Sequence, residues 1–259
     1  MTTFLAAEDI VGHLLDYEGL PGSISGHQLL LGAMALFTTV VFSVSARRVA
    51  TRPKKAGVVA LIELALVWLR DEVVYPWLGS ERGRRYLPFF WTLFFFILFS
   101  NLIGLFPFPF NPWERTPTGN LAVTGALAAL VFLMVQISGM RQHGYARYWI
   151  NLVPAGTPKA LWPLVFVIEI IGLFTKPFAL TVRLFANMTG GHAILLVLFG
   201  FLYGVEHANE GLIGIPSTLA SFAFILFIML LEVLIALIQA YIFTVLSAIF
   251  TSLAVAEEH

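Results

Sequence analysis

The stretch FALTVRLFANMTGGH, residues 178–192, places a single arginine inside a long apolar segment. The guanidinium of Arg183 keeps its charge at physiological pH, so it cannot lose a proton to ease its burial. At the centre of a bilayer such a charge costs at least ~2.5–3.5 kcal/mol on insertion scales. We therefore expect Arg183 to have an interaction that offsets this cost, and a carboxylate on another protein is the leading candidate.

The composition around this stretch indicates an all-α integral membrane protein. Of its 259 residues, 59% are hydrophobic and only 12% are charged, about half the charged share of soluble domains. The mean hydropathy is +0.87, and the apolar runs are long enough to cross a bilayer. The chain has no cysteine, which excludes disulfides and cysteine-based metal sites. We expect no cofactor, no metal and no nucleic-acid partner.

The N-terminal part predicts one crossing and one interfacial helix. Residues 1–26 are acidic, lack Lys and Arg, and are expected to be retained on the outer side. The first crossing is predicted over 27–46, and the basic cluster that follows it marks the cytoplasmic side. In the loop 47–86, residues 56–77 are apolar but contain four charged residues. A crossing there would place the basic residues 82–85 outside, so we expect an amphipathic helix at the cytoplasmic interface.

The rest of the chain predicts four more crossings. Residues 87–140 form a membrane hairpin whose spans, 87–106 and 120–140, are joined by a proline-rich outer loop. Residues 141–259 contain two apolar segments, about twice the ~20 residues that a crossing needs and without a polar break, so we expect two long, steeply tilted helices. Five crossings result, and every Lys and Arg then lies on the cytoplasmic side except Arg115, Lys176 and Arg183.

Three ionisable residues of the first long helix lie on one stripe. Glu169, Lys176 and Arg183 are spaced by seven, which separates neighbours by only about 20° around the axis. The face around Arg183 also carries small residues, which allow another helix to approach closely. They are Ala179, Ala186, Asn187 and Gly190. This face is predicted to dock a partner.

A second polar cluster is predicted inside the subunit. His192 follows Arg183 by nine residues, a rotation of about 180°, and so points away from the docking face. Glu232 and Gln239 share a stripe of the second long helix, and intramembrane carboxylates commonly mark ion pathways. Each residue also has a structural interpretation: snorkelling for Lys176, solvation for Glu169, packing for His192, and an ion pair within the subunit for Arg183.

Three blocks of this sequence resemble subunit a of the F-type ATP synthases. The most specific block is 183–188, RLFANM, preceded by Lys176-Pro177 and followed by Gly190-Gly191-His192. The second is 232–243, EVLIALIQAYIF, with the EEH ending, and the third is 101–107, NLIGLFP, with 117–120, PTGN. Together they extend the resemblance over residues 87–259, in order, and the five-crossing topology agrees with it.

The resemblance implies a role for each polar position. Arg183 corresponds to the arginine that faces a ring of c subunits and separates two half-channels, with Asn187 and Gln239 near it. Glu169 matches a position in the cytoplasmic half-channel. His192 and Glu232 match the acid and imidazole of the outer half-channel. Lys176 is carried over with less support.

The resemblance also implies the setting of the chain. It would be a non-catalytic, proton-translocating stator subunit, with a c ring, peripheral-stalk b subunits, a soluble catalytic head and membrane lipid as partners. No phosphate-binding Walker motif is present, so ATP chemistry would belong to other subunits. A bacterial plasma (inner) membrane is expected, with a mitochondrial inner membrane as the alternative. The coupling ion, proton or sodium, is left open.

Two other classes of function are compatible with an apolar helical chain. A secondary ion transporter or antiporter would favour inverted repeats around a midplane site, and no such duplication is visible. An assembly scaffold would tolerate the loss of Arg183.

Overall fold

The described part of this computed structural model is helical and contains no strand. It comprises residues 32, 35–40, 58–103, 117–150, 152–153, 156–208 and 214–256. Its elements are α1 (Val58–Trp68), a π-helix (Leu69–Val74), α2 (Tyr75–Ile103), a 3-10 turn (Pro117–Gly119), α3 (Leu121–His143), α4 (Tyr145–Ile150), α5 (Trp162–Ala208) and α6 (Gly214–Val255). Residues 35–40 are also helical.

Four helical stretches in the described residues are long and apolar enough to cross a membrane. They are Ala60–Ile103, Leu121–His143, Trp162–Gly191 and Phe222–Val255. The described residues agree with the prediction of an all-α integral membrane protein, whereas the five crossings and the steep tilts stay predictions. Most of the predicted first crossing, 27–46, lies outside the described residues, as do most of the proline-rich loop and the acidic C-terminal tail.

The first of these stretches is bent back on itself at Gly79. This glycine has φ 72° and ψ 168°, a conformation that is not helical. Trp91 Nε1 donates a hydrogen bond of 3.0 Å to the carbonyl of Leu66, 25 residues away. In a straight helix these residues would be about 37 Å apart, so the chain must reverse between them. Residues 58–78 thus form an arm that lies against the helix beginning at residue 80, earlier than the predicted start at 87.

The long helices pack unequally around the core. The largest fully buried side chains include Phe90 and Ile97 of α2, Leu180 and Leu184 of α5, and Phe243 of α6. Only 6% of the apolar window of α5 is buried, against 44% for the stretch that contains α2. Helix α5 is therefore peripheral, and most of its apolar surface is available to lipid or to a partner protein.

Both ends of α3 and the end of α6 have defined local contacts. The Asn120 side chain caps α3 by accepting from the Ala122 amide at 2.8 Å. Gly144, at φ 82°, ends the helix and donates its N–H to the Met140 carbonyl at 2.9 Å. At the last turn of α6, Arg82 Nη1 donates to the Val255 carbonyl at 3.2 Å. These contacts fix both ends of α3 and the last turn of α6.

Replacing Gly79 by alanine tests the chain reversal. The Gly79 conformation is essentially restricted to glycine, so Gly79→Ala should lower the stability of the chain by about 1–3 kcal/mol. Thermal unfolding of the detergent-solubilised protein would measure the loss. Gly172→Ala is the matched control, because an added Cβ there meets no atom within 4 Å and the backbone is helical. Equal stability of the two variants would contradict the proposed constraint at Gly79.

Candidate functional site

The three spaced ionisable residues lie on one unbroken helix. Helix α5 continues through Pro177, and the Thr181 hydroxyl donates to the carbonyl of Pro177, four residues earlier, at 2.9 Å. Glu169 and Lys176 are half-buried and line a common cavity, whereas Arg183 is exposed. The Lys176 ammonium lies 5.3 Å from the centre of the Phe250 ring, so its charge rests against an aromatic face.

Arg183 lies on an exposed face of small residues. Ala179, Ala186, Asn187 and Gly190 are all exposed, and an added Cβ on Gly190 meets nothing within 4 Å. Among the described residues, no hydrogen bond or ion pair reaches the Arg183 guanidinium. The structure therefore provides no partner for this charge in the described chain, and the space beside it is open.

One turn beyond Arg183, an amide pair joins α5 to α6. Asn187 Nδ2 donates a hydrogen bond of 3.0 Å to Gln239 Oε1. Gln239 is only 2% exposed, and its Nε2 has no partner among the described residues. The resemblance placed Asn187 and Gln239 together near Arg183. In the structure Asn187 lies at the exposed face, and Gln239 lies behind it in the interface between the helices.

The carboxyl group of Glu232 is packed against the backbone of α5 at Gly191. Glu232 is 5% exposed, and a Cβ added to Gly191 would overlap its Oε1. Its Oε2 is buried without a hydrogen-bond partner in the described chain. His192 is the next residue of α5, but its side chain lies outside the described part, so its pairing with Glu232 stays a prediction. The sequence analysis quoted Gly191 only as part of a motif and missed its contact with Glu232.

A second buried polar pair was also missed. Thr118 Oγ1 donates a hydrogen bond of 2.7 Å to Asn101 Oδ1, and both residues are fully buried. Asn101 Nδ2 and the neighbouring Ser100 hydroxyl have no partner in the described structure. Leu102 packs with Met188 and Ala236, which places this pair near the level of Glu232. The signal for this pair in the sequence was the amide of Asn101, which lies near the end of an apolar span.

At the opposite end of α5, a tyrosine closes one side of the cavity. Tyr148 donates its hydroxyl to Gln136 Oε1 at 2.6 Å. Burial raises the pKa of the Tyr148 hydroxyl, which keeps it protonated as the donor. Gly139 permits this arrangement, because a Cβ there would overlap the Tyr148 ring and meet the Ala254 carbonyl. This contact joins α3, α4 and the end of α6.

Comparison with known proteins identifies one family. The sequence model described as ATP synthase A chain matches residues 28–252. A protein named ATP synthase subunit a from Myxococcus xanthus is 40% identical over 239 residues, which cover 92% of this chain and 74% of the relative. The Chloroherpeton thalassium protein of that name is 38% identical, with 96% and 75% covered. ATP synthase subunit a 2 of Chlorobaculum tepidum is 38% identical, with 93% and 66% covered.

The contact between Gly191 and Glu232 can be tested with neighbouring glycines. Gly191→Ala should destabilise the chain by about 1 kcal/mol, because the new methyl group displaces a buried carboxyl group. The cost should disappear in a Glu232→Ala background, since the coupling needs both side chains. Thermal unfolding of the purified chain measures both effects. Gly190→Ala is the control, and a similar cost for both glycines would contradict the contact.

Proposed function

The chain belongs to the ATP synthase A chain family, and we propose that it is the proton-translocating stator subunit of a rotary ATP synthase. In this proposal Arg183 faces a ring of c subunits and separates two half-channels for protons. The observation that carries the proposal is a permanent charge on an exposed strip of small residues, without a partner in the described chain. The subunit itself would catalyse no ATP chemistry, which would belong to a soluble catalytic head.

The charge of Arg183 explains how a ring carboxyl group would change state. A carboxylic acid surrounded by lipid keeps its proton, because burial disfavours the charged form. Opposite a fixed guanidinium the carboxylate becomes favourable, and the proton leaves. The small neighbours of Arg183 allow a ring helix to come close enough for this interaction. The same positive charge repels a proton that would pass directly from one half-channel to the other.

The polar groups on either side of Arg183 suit two offset pathways. Glu169 and Lys176 lie in the cavity on one side, and Glu169 is 14 residues, or about 21 Å, from Arg183 along the helix. Gly191, against the Glu232 carboxyl group, is about 12 Å beyond Arg183 in the other direction. With His192 beside it, Glu232 would form the outer half-channel. A proton would then travel on a ring carboxyl group from one half-channel to the other. Each proton that crosses 100 mV of membrane potential supplies about 2.3 kcal/mol.

We also propose how the chain sits in the membrane. Residues 27–46 would supply a fifth crossing, and the arm 58–78 would lie at the cytoplasmic interface, where its exposed Leu61, Leu64 and Trp68 meet lipid. Helix α5, with 47 residues, is about 70 Å long, so it must tilt strongly within a ~30 Å hydrocarbon layer. The relatives are bacterial, which supports the plasma (inner) membrane. Peripheral-stalk b subunits would complete the stator.

Removal of the Arg183 charge tests the proposal. Arg183→Ala should abolish ATP-driven proton pumping in membrane vesicles, measured by quenching of a pH-sensitive dye, while the complex still assembles. Arg84→Ala is the control, because it removes an exposed arginine far from the docking face. Normal pumping by the Arg183→Ala complex would overturn the assignment and favour a scaffold role.

Exchange of His192 and Glu232 tests their cooperation. If the two groups relay a proton between them, the double variant His192→Glu/Glu232→His retains the pair. It should therefore recover more pumping than either single variant, measured in the same vesicles. Pumping equal to or below that of the single variants would argue against the pair.

A further inference from the structure

The cavity at the cytoplasmic end of α5 reaches from the helix ends to Leu180. It has a volume of about 450 Å³ and lies between α3, α5 and α6, with α4 at its side. His143, Leu152 and Ala256 line it at the helix ends, and Leu180 lines it at its far end, one turn before Arg183. At about 30 Å³ for each molecule, it has room for on the order of ten waters.

Polar side chains in the lining favour water in this space. His143, Glu169 and Lys176 are half-buried and all three line the cavity. Polar and charged side chains removed from bulk solvent need hydrogen-bond partners, and ordered water supplies them. The lining therefore favours water between His143 and Glu169.

His143 lies at the mouth of this space. It is the last residue of α3, because Gly144 ends the helix with a positive φ of 82°. The neighbouring Arg141 and Arg147 are exposed and, by the positive-inside rule, mark this end as cytoplasmic. Imidazole can accept a proton at one nitrogen while it donates from the other. Neither the motifs nor the family resemblance assigned a role to His143.

We propose that His143 passes protons between the cytoplasm and Glu169 through water in this cavity. One ring nitrogen takes a proton from bulk water, the other releases a proton to cavity water, and the imidazole returns to its neutral form. The cavity water then protonates the Glu169 carboxylate, and the reverse sequence returns protons from Glu169 to the cytoplasm. This inference rests on the proposed function, since it names the mouth of the inner half-channel.

The test uses the whole complex in inverted membrane vesicles, whose outer surface is the cytoplasmic side. His143→Ala should slow ATP-driven charging of the membrane roughly tenfold, less than the ~10²-fold of a positioned acid–base group, because water offers a bypass. Imidazole added to the medium should restore the rate. The readout is a potential-sensitive dye, because neutral imidazole crosses membranes and would disturb a pH readout.

Matched variants separate the possible failures. Arg141→Ala, in the same turn but outside the cavity lining, should charge the membrane normally. An undiminished rate for His143→Ala, or a slowed rate that imidazole does not restore, would overturn the role of His143. If Arg183→Ala nevertheless abolishes pumping, the proposed function survives that result. Normal pumping by Arg183→Ala would instead contradict the proposed function and, with it, the role proposed for His143.

Discussion

The unpaired charge of Arg183 is the constraint on which the rest of this structure depends. A guanidinium cannot be neutralised, so an apolar helix that carries it must present it to a partner or bury it against an acid. The described chain does neither internally, because Arg183 lies on an exposed strip of alanine, asparagine and glycine. Its stability in a membrane therefore depends on what approaches that strip. A moving carboxylate, attracted and then released, is the partner that our proposal supplies.

The packing of α6 against α5 organises the groups on the other side of this charge. The Asn187–Gln239 hydrogen bond ties the two helices together close to Arg183. Further along, Gly191 lets the Glu232 carboxyl group approach the α5 backbone. This contact places the Glu232 carboxyl group at the turn of α5 that contains His192. Gln239 and Glu232 thus lie buried between the helices, behind the exposed strip that carries Arg183 and Asn187.

Several features of this arrangement could be predicted from the sequence, for identifiable reasons. The apolar runs and the seven-residue spacing of Glu169, Lys176 and Arg183 depend only on helix geometry. The exposed surroundings of Arg183 followed from that periodicity and from small neighbouring residues. The reversal at Gly79, the Asn101–Thr118 pair and the Gln136–Tyr148 bond did not follow. They join residues on different elements, and no local pattern specifies which elements become neighbours.

The sequence by itself determined that this protein is a helical membrane protein with one fixed charge in an apolar face. Length, hydropathy and helical phase are local properties, and they are sufficient for that conclusion. The tertiary structure decided what each polar group contacts. It placed Glu232 against Gly191, set Gln239 behind Asn187, and opened a cavity between His143 and Leu180. Those distances depend on how whole helices pack, which is a property of the assembled chain and of no single segment.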